Sequence, residues 1–201
     1  MGSVLTALSI SLDGYVGGLG EQSWPVHERL LGWKFDLASF RAQIGMPGGE
    51  ASVSSTIAGE EFTRSGAYVM GRLMFDYGEE PWGETPPFHA PVFVLTHRAR
   101  EPLVRKGGTT FTFVTDGIAS AIRQARAVAG EKDVFISGGA SAVQQAIQAR
   151  LLDELQVHVA PVILGSGVPL FAHLGSTPIE LECTRVVQSP KVLHLGFRIT
   201  R

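Results

Sequence analysis

The chain of 201 residues holds one cysteine, Cys183, and no asparagine. A single thiol forms no internal disulfide and supplies no Cys-ligated zinc site, including the paired-cysteine signature of zinc deaminases. A reducing compartment follows as the simple reading, and a cytoplasmic protein is expected. No run approaches the ~20 apolar residues of a membrane span, so no membrane partner is expected. The first ten residues carry no basic segment and read directly as a strand, which speaks against a secretory signal. A net charge of −2 gives no global attraction to nucleic acid. The six histidines show no ligand spacing, so no metal is expected. Also missing are the G-x-G-x-x-G fingerprint of a Rossmann dehydrogenase, the Lys-Ser/Thr pair of a P-loop and the Gly-x-Ser-x-Gly elbow of a hydrolase.

What remains is a composition of 44% hydrophobic and 18% charged residues, that of a compact globular chain, read as a single domain over residues 1–201. Apolar patterning places strands at 4–11, 67–70, 92–96, 110–114, 134–137, 154–160, 179–188 and 192–200. Helices fall at 28–43, 72–77, 117–129 and 139–151. In the third helix Ile118, Ala121, Ile122, Ala125 and Ala129 form the apolar stripe, with Asp116 as its cap and Gly130 as its stop. Alternating strands and helices make an α/β protein with a mostly parallel, covered sheet. The last two strands are separated only by Ser189-Pro190-Lys191, too short for a parallel crossover, so they form an antiparallel hairpin and the sheet is mixed. The Gly- and Ser-rich stretch 45–59 reads as an irregular surface insertion, with a flap beside the site as the alternative.

The most informative segment is the strand that runs through Ser137 into Gly138-Gly139 and then a helix opening at Ala140-Ser141-Ala142. A helix starting there aims its free N–H groups and positive dipole end beyond the strand's carboxyl end, and glycines let an anion touch the backbone. The same glycines also serve a plain tight turn. A second junction, Met70-Gly71-Arg72, repeats the geometry and adds a guanidinium suited to phosphate, unless Arg72 pairs locally with Asp76. A third strand ends at Thr96 and leads into a basic cluster, His97, Arg98, Arg100, Arg105 and Lys106; it is either a solvated face or a contact to the adenosine end of a dinucleotide, with Arg98 on the extra ribose phosphate of NADPH.

Two acids stand near the mouth of this arrangement. Asp13 precedes Gly14 at the end of the first strand, where an Asp-Gly turn is the plain alternative. Asp36 falls at helical spacing with Trp33, Leu37 and Phe40, opposite a face of Leu31, Phe35, Ala38 and Ala42 expected to cover the sheet. An acid among rings tends toward a raised pKa and can deliver a proton. Gly165 and Gly167 offer either loop punctuation or a second wall of a cleft.

In order, Ser11-Leu12-Asp13-Gly14, Met70-Gly71-Arg72 with Phe75, Val94-Leu95-Thr96, Ser137-Gly138-Gly139, Leu152-Asp153-Glu154-Leu155 and the run from Pro161 to Phe171 resemble the dihydrofolate reductase-like family, closest to the C-terminal reductase domain of the bifunctional riboflavin-biosynthesis protein. The resemblance implies a three-layer α/β sandwich, an NADPH-dependent hydride transfer to a small heterocyclic or carbonyl substrate, and a homodimer. It implies cofactor contacts at Ala7, Gly71, Arg72, Thr96, Arg98 and from Ser137 through Gly138, Gly139, Ala140, Ser141 and Ala142. Asp36 and Asp13 would be the catalytic candidates, and Trp33, Phe40, Gly165 and Gly167 would face the substrate. The family's helix commonly carries threonine where this chain has Met74, which puts one phosphate contact in question. A non-catalytic nucleotide-binding or interaction protein on the same fold is the alternative.

Overall fold

The computed structural model describes residues 2–19 and 23–200. In chain order the elements are β1 (Val4–Ile10), β2 (Tyr15–Gly17), α1 (Ser23–Phe35), α2 (Ala38–Gln43), α3 (Val53–Arg64), β3 (Ser65–Gly71), α4 (Arg72–Trp82), β4 (Val92–Leu95), β5 (Leu103–Val104), β6 (Thr110–Val114), α5 (Ile118–Ala129), β7 (Asp133–Gly138), α6 (Ala140–Gln148), β8 (Glu154–Val159), β9 (Val168–Pro169), β10 (Leu181–Gln188) and β11 (Leu193–Ile199). Two compact units divide them.

The first unit comprises Met1–Thr6 and Glu61–Asp153. Its strands lie in the order β1-β7-β3-β4-β6-β5, parallel except for β5 at the edge. The central strands are buried on both faces, as a covered parallel sheet requires: Ala67, Val69, Met70, Val92 and Val94 have no exposed surface. Helix α5 covers β3, β4 and β7 with the stripe read from the sequence, all five residues of which are buried. Gly130 ends it at φ +64°, but its start is Gly117 at φ +94° with no side-chain cap, so Asp116 does not cap it. Around α4 an aromatic cluster forms, with Phe75 edge-on to Phe111 and Phe113 at 5.1 Å and Trp82 edge-on to Phe88 at 4.9 Å. Two carboxylate anchors, the buried Asp133 and the half-buried Asp153, tie the start of the chain in. Asp133 accepts from Ser3 N and Arg64 Nε, both at 2.7 Å, and Asp153 accepts from Val4 N at 2.8 Å.

The second unit comprises Ala7–Glu60 and Glu154–Arg201. Here β10, β11 and β8 are antiparallel neighbours, and the second half of β1 follows β8. The hairpin expected at the C-terminal end is therefore present, closed by Ser189, whose N and Oγ both donate to Val192 O. A small antiparallel pair, β2 with β9, stands apart from that sheet.

Two sequence expectations fail in this unit. The helix expected over 28–43 breaks at Asp36-Leu37, where Leu37 is extended at φ −71° and ψ 138°. A tertiary bridge to Glu50 outcompetes the helical bonds: Glu50 N donates to Asp36 O at 2.7 Å and Ala38 N to Glu50 O at 3.0 Å. The break also inverts the expected faces, since Leu30, Trp33 and Leu37 are buried while Phe35 is 40% exposed. The second failure is the irregular insertion at 45–59, which contains the start of α3. Ser52 opens that helix, accepting from Ser55 N through Oγ and from Thr56 N through its carbonyl, and the burial of Ile57 and Ala58 holds it.

Candidate functional site

In the first unit, register pairs Met70 with Gly138 and Gly71 with Leu95, so the carboxyl ends of β7, β3 and β4 lie side by side. Helix α4 opens from Gly71 and α6 from Gly139, and neither start has a side-chain cap. A Cβ added to Gly71 would lie 3.5 Å from Gly139 N, so the two helix starts converge. One Cβ added to Gly139 would meet nothing within 4 Å, leaving the backbone open to approach. Two uncapped positive helix ends at one point leave backbone N–H groups of the kind that can meet an anion. Gly138 has φ +138° and its peptide to Gly139 is cis.

Of the helix residues expected to touch a cofactor, Ala140 and Ala142 are buried and hold the helix start in place, while Ser141 is exposed and accepts from Gln145 Nε2 at 3.1 Å. Ser137 is turned inward, its Oγ 3.4 Å from Val69 O and 3.9 Å from Met74 Sδ. Met74 thus fills the place beside Gly138, its thioether 3.1 Å from where a Cβ would sit, and it offers no O–H or N–H donor. Arg72 is committed in part: its Nε donates to Asp76 Oδ1 at 2.6 Å, the local ion pair weighed from sequence. At the end of β4, the buried Thr96 accepts from Arg98 N through Oγ1 at 3.1 Å and turns the chain outward. The basic cluster then resolves into separate roles. Arg100 forks onto Glu79 and lies 5.2 Å over the Phe113 ring, a hydrogen-bonded pairing that holds the Glu79 carboxyl below its usual range. Arg105 pairs with Glu84. Arg98 is exposed and has no ion pair among the described residues.

The second unit holds Ala7, both acids and the residues expected to face a substrate. Ala7 is buried in β1. Asp13 accepts Leu164 N at 3.1 Å and Gly165 N at 2.7 Å on its two oxygens. The Ser11 hydroxyl, followed by these backbone donors, holds its pKa down to about 2. A carboxylate so engaged anchors the loop that follows β8. Asp36 is exposed in the break between α1 and α2.

Trp33 is a core residue rather than a substrate face. It is 6% exposed, donates from Nε1 to Ser9 Oγ at 3.0 Å, and lies edge-on to His158 and His194 at 5.0 and 5.1 Å. Phe40 packs against the same cluster of Trp33, Leu37, Ala58 and Val192. Of the two glycines, Gly167 lines a cleft and Gly165 does not. Gly165 is tied to Asp13, and a Cβ on Gly167 would run into the Gly17 carbonyl. Val162, Ile163, Ser166 and Gly167 line a cleft of about 390 Å³ opposite Val26 and Arg29.

A buried polar chain went unread in the sequence. His194 Nδ1 lies 2.9 Å from His158 Nδ1, and His194 Nε2 lies 2.9 Å from Ser54 Oγ, both rings almost fully buried at register-paired positions of β11 and β8. The legible signal was a histidine flanked on each side by apolar residues in both strands, Val157-His158-Val159 and Leu193-His194-Leu195. Among the described residues no cluster of metal-ligating side chains occurs, and no helix is long and apolar enough to cross a membrane.

Strand order, the antiparallel C-terminal hairpin and helices opening at glycine junctions define a dihydrofolate reductase-like α/β fold. The RibD C-terminal domain family matches residues 3–195, and the chain belongs to that family. A relative, YyaP of Bacillus subtilis (strain 168), itself uncharacterized, is 26% identical over 175 residues, 84% of this chain and 79% of its own. A solved structure from Shewanella sp. PV-4, provisionally assigned to riboflavin biosynthesis, superposes with TM-score 0.70 at 22% identity, covering 99% of both chains. The bifunctional deaminase and phosphoribosylaminouracil reductase of Thermotoga maritima superposes with TM-score 0.61 at 14% identity. This chain is covered to 99% in that match and spans 57% of the bifunctional one. At these identities the two structures speak for the fold.

Proposed function

We propose that the protein is an NADPH-dependent reductase acting on a small heterocyclic or carbonyl compound of the riboflavin-precursor or pterin kind. The observation that carries the reading is the convergence of two uncapped helix starts, at Gly71 and Gly139, on a chain of the RibD C-terminal domain family. The residues present fit a dinucleotide. The backbone N–H groups opening α6 and α4 would hold the pyrophosphate, with open space at Gly139 for its approach. Arg98, exposed and without an ion pair among the described residues, would meet the ribose phosphate that distinguishes NADPH from NADH. Thr96 sets the direction in which Arg98 leaves the sheet. When bound, NADPH supplies a hydride.

The protein's own part is binding and orientation. Asp13, on its two oxygens, would keep the loop at 164–165 in place. Neither Asp13 nor Asp36 is set as a buried acid, so the proton accompanying the hydride would come from solvent or from the substrate's own ionisable groups. The same observation favours a second reading, a nucleotide-binding protein without turnover.

The test is NADPH binding by calorimetry, followed by NADPH oxidation over a panel of pterins, pyrimidine precursors of flavins and quinones. Binding with turnover of one panel member supports the reductase. Binding without any turnover supports the second reading, and no binding at millimolar NADPH rejects both.

A further inference from the structure

The cleft in the second unit has a composition that the reductase reading does not use. One side is α1, where Pro25, Val26 and Arg29 share a face at i, i+1 and i+4. The facing side is the 162–167 loop, which contributes Val162 and Ile163. A volume of about 390 Å³ lies within the range of small-molecule sites. The loop side is preformed: Asp13 ties down the N–H groups of Leu164 and Gly165, Val168 of β9 pairs with Gly17, and a Cβ added to the preceding Gly167 would run into the Gly17 carbonyl.

Apart from Arg29 the described lining is uncharged, and no carboxylate pairs with Arg29 among the described residues. Asp13 directs both carboxylate oxygens at the loop backbone and is not part of the lining. Around the opening, Leu19 and Ile163 are 64% and 70% exposed, and Trp24 next to Pro25 is 72% exposed. Large apolar side chains left in water beside a concave surface mark a binding site, and a lone guanidinium among them selects the charge of what binds.

We propose that this cleft binds a small organic anion with an apolar body, a ring or branched chain bearing one anionic group, whose charge rests on Arg29 and whose body lies against Val26, Val162 and Ile163. The claim concerns binding and stands apart from the reductase reading.

Calorimetry with naphthoate and its neutral amide, naphthamide, tests it on the full chain. Wild type should bind naphthoate roughly tenfold more tightly than naphthamide, and Arg29→Gln should erase that difference. Arg29→Lys should keep most of the preference, and Ile163→Ser should weaken both probes alike. Absence of naphthoate binding to wild type, equal binding of the two probes, or unchanged preference in Arg29→Gln would each overturn the proposal. NADPH affinity measured on Arg29→Gln should match wild type, so loss of NADPH binding by wild type would count against the reductase reading alone.

Discussion

The Asp13 carboxylate accepts two backbone N–H groups and the Ser11 hydroxyl, and its pKa falls from 3.8 to about 2. A folded-state pKa below the unfolded one gives stability that is present above 3.8 and is lost as pH falls through about 2. Asp13→Asn keeps the shape but does not titrate. Its melting temperature should lie below that of wild type at neutral pH, with the gap closing as pH falls from 3.8 to about 2; a gap independent of pH would mean the loop does not depend on the charge. Arg98 belongs to the same scale. Arg98→Ala should weaken NADPH binding roughly tenfold and leave NADH binding little changed, the signature of a contact to one phosphate. Equal weakening of both cofactors would remove that assignment. The glycine and arginine positions at the strand ends were legible because local chemistry names them: no Cβ, a forked cation, a helix start. The environment of Asp36 was not, because it depends on a residue fourteen positions away.

At the level of elements, that distant residue is Glu50, whose backbone takes the hydrogen bonds that would have continued α1 into α2. The approach requires Gly49, which has φ +110° and whose added Cβ would lie 2.8 Å from the Ala38 backbone. Gly49→Ala should cost about 1–3 kcal/mol in denaturant unfolding. A neutral result would show that the bridge at Leu37 does not hold the break. Periodicity alone supports one long helix through 28–43, since nothing in its window reveals a competing strand-like partner. Helix α3 was obscured for the opposite reason. Ser52-Val53-Ser54-Ser55-Thr56 has poor intrinsic helix propensity, and the helix rests on a serine cap and on burying Ile57 and Ala58. By contrast α5, with its clean stripe and flanking glycines, matched its expected span within a residue. The last two strands were legible because three residues between them leave only a hairpin.

For the whole molecule, the family match over residues 3–195 takes in segments of both compact units, and the parallel strands and C-terminal hairpin read from sequence lie where expected in their respective units. The order of strand ends was out of reach of any local pattern, because β7, β3 and β4 become neighbours only through crossovers. That neighbourhood carries the central claim, that the converging starts of α4 and α6 hold the phosphates of a dinucleotide. Ser141→Asp tests it most directly. Ser141 is exposed at the second position of α6, where a carboxylate favours the helix by about 0.3–1 kcal/mol while competing for the anion site. The account predicts a melting temperature equal to or above wild type together with NADPH affinity, measured by calorimetry, reduced by roughly tenfold or more. Wild-type NADPH affinity in a well-folded Ser141→Asp protein would contradict it.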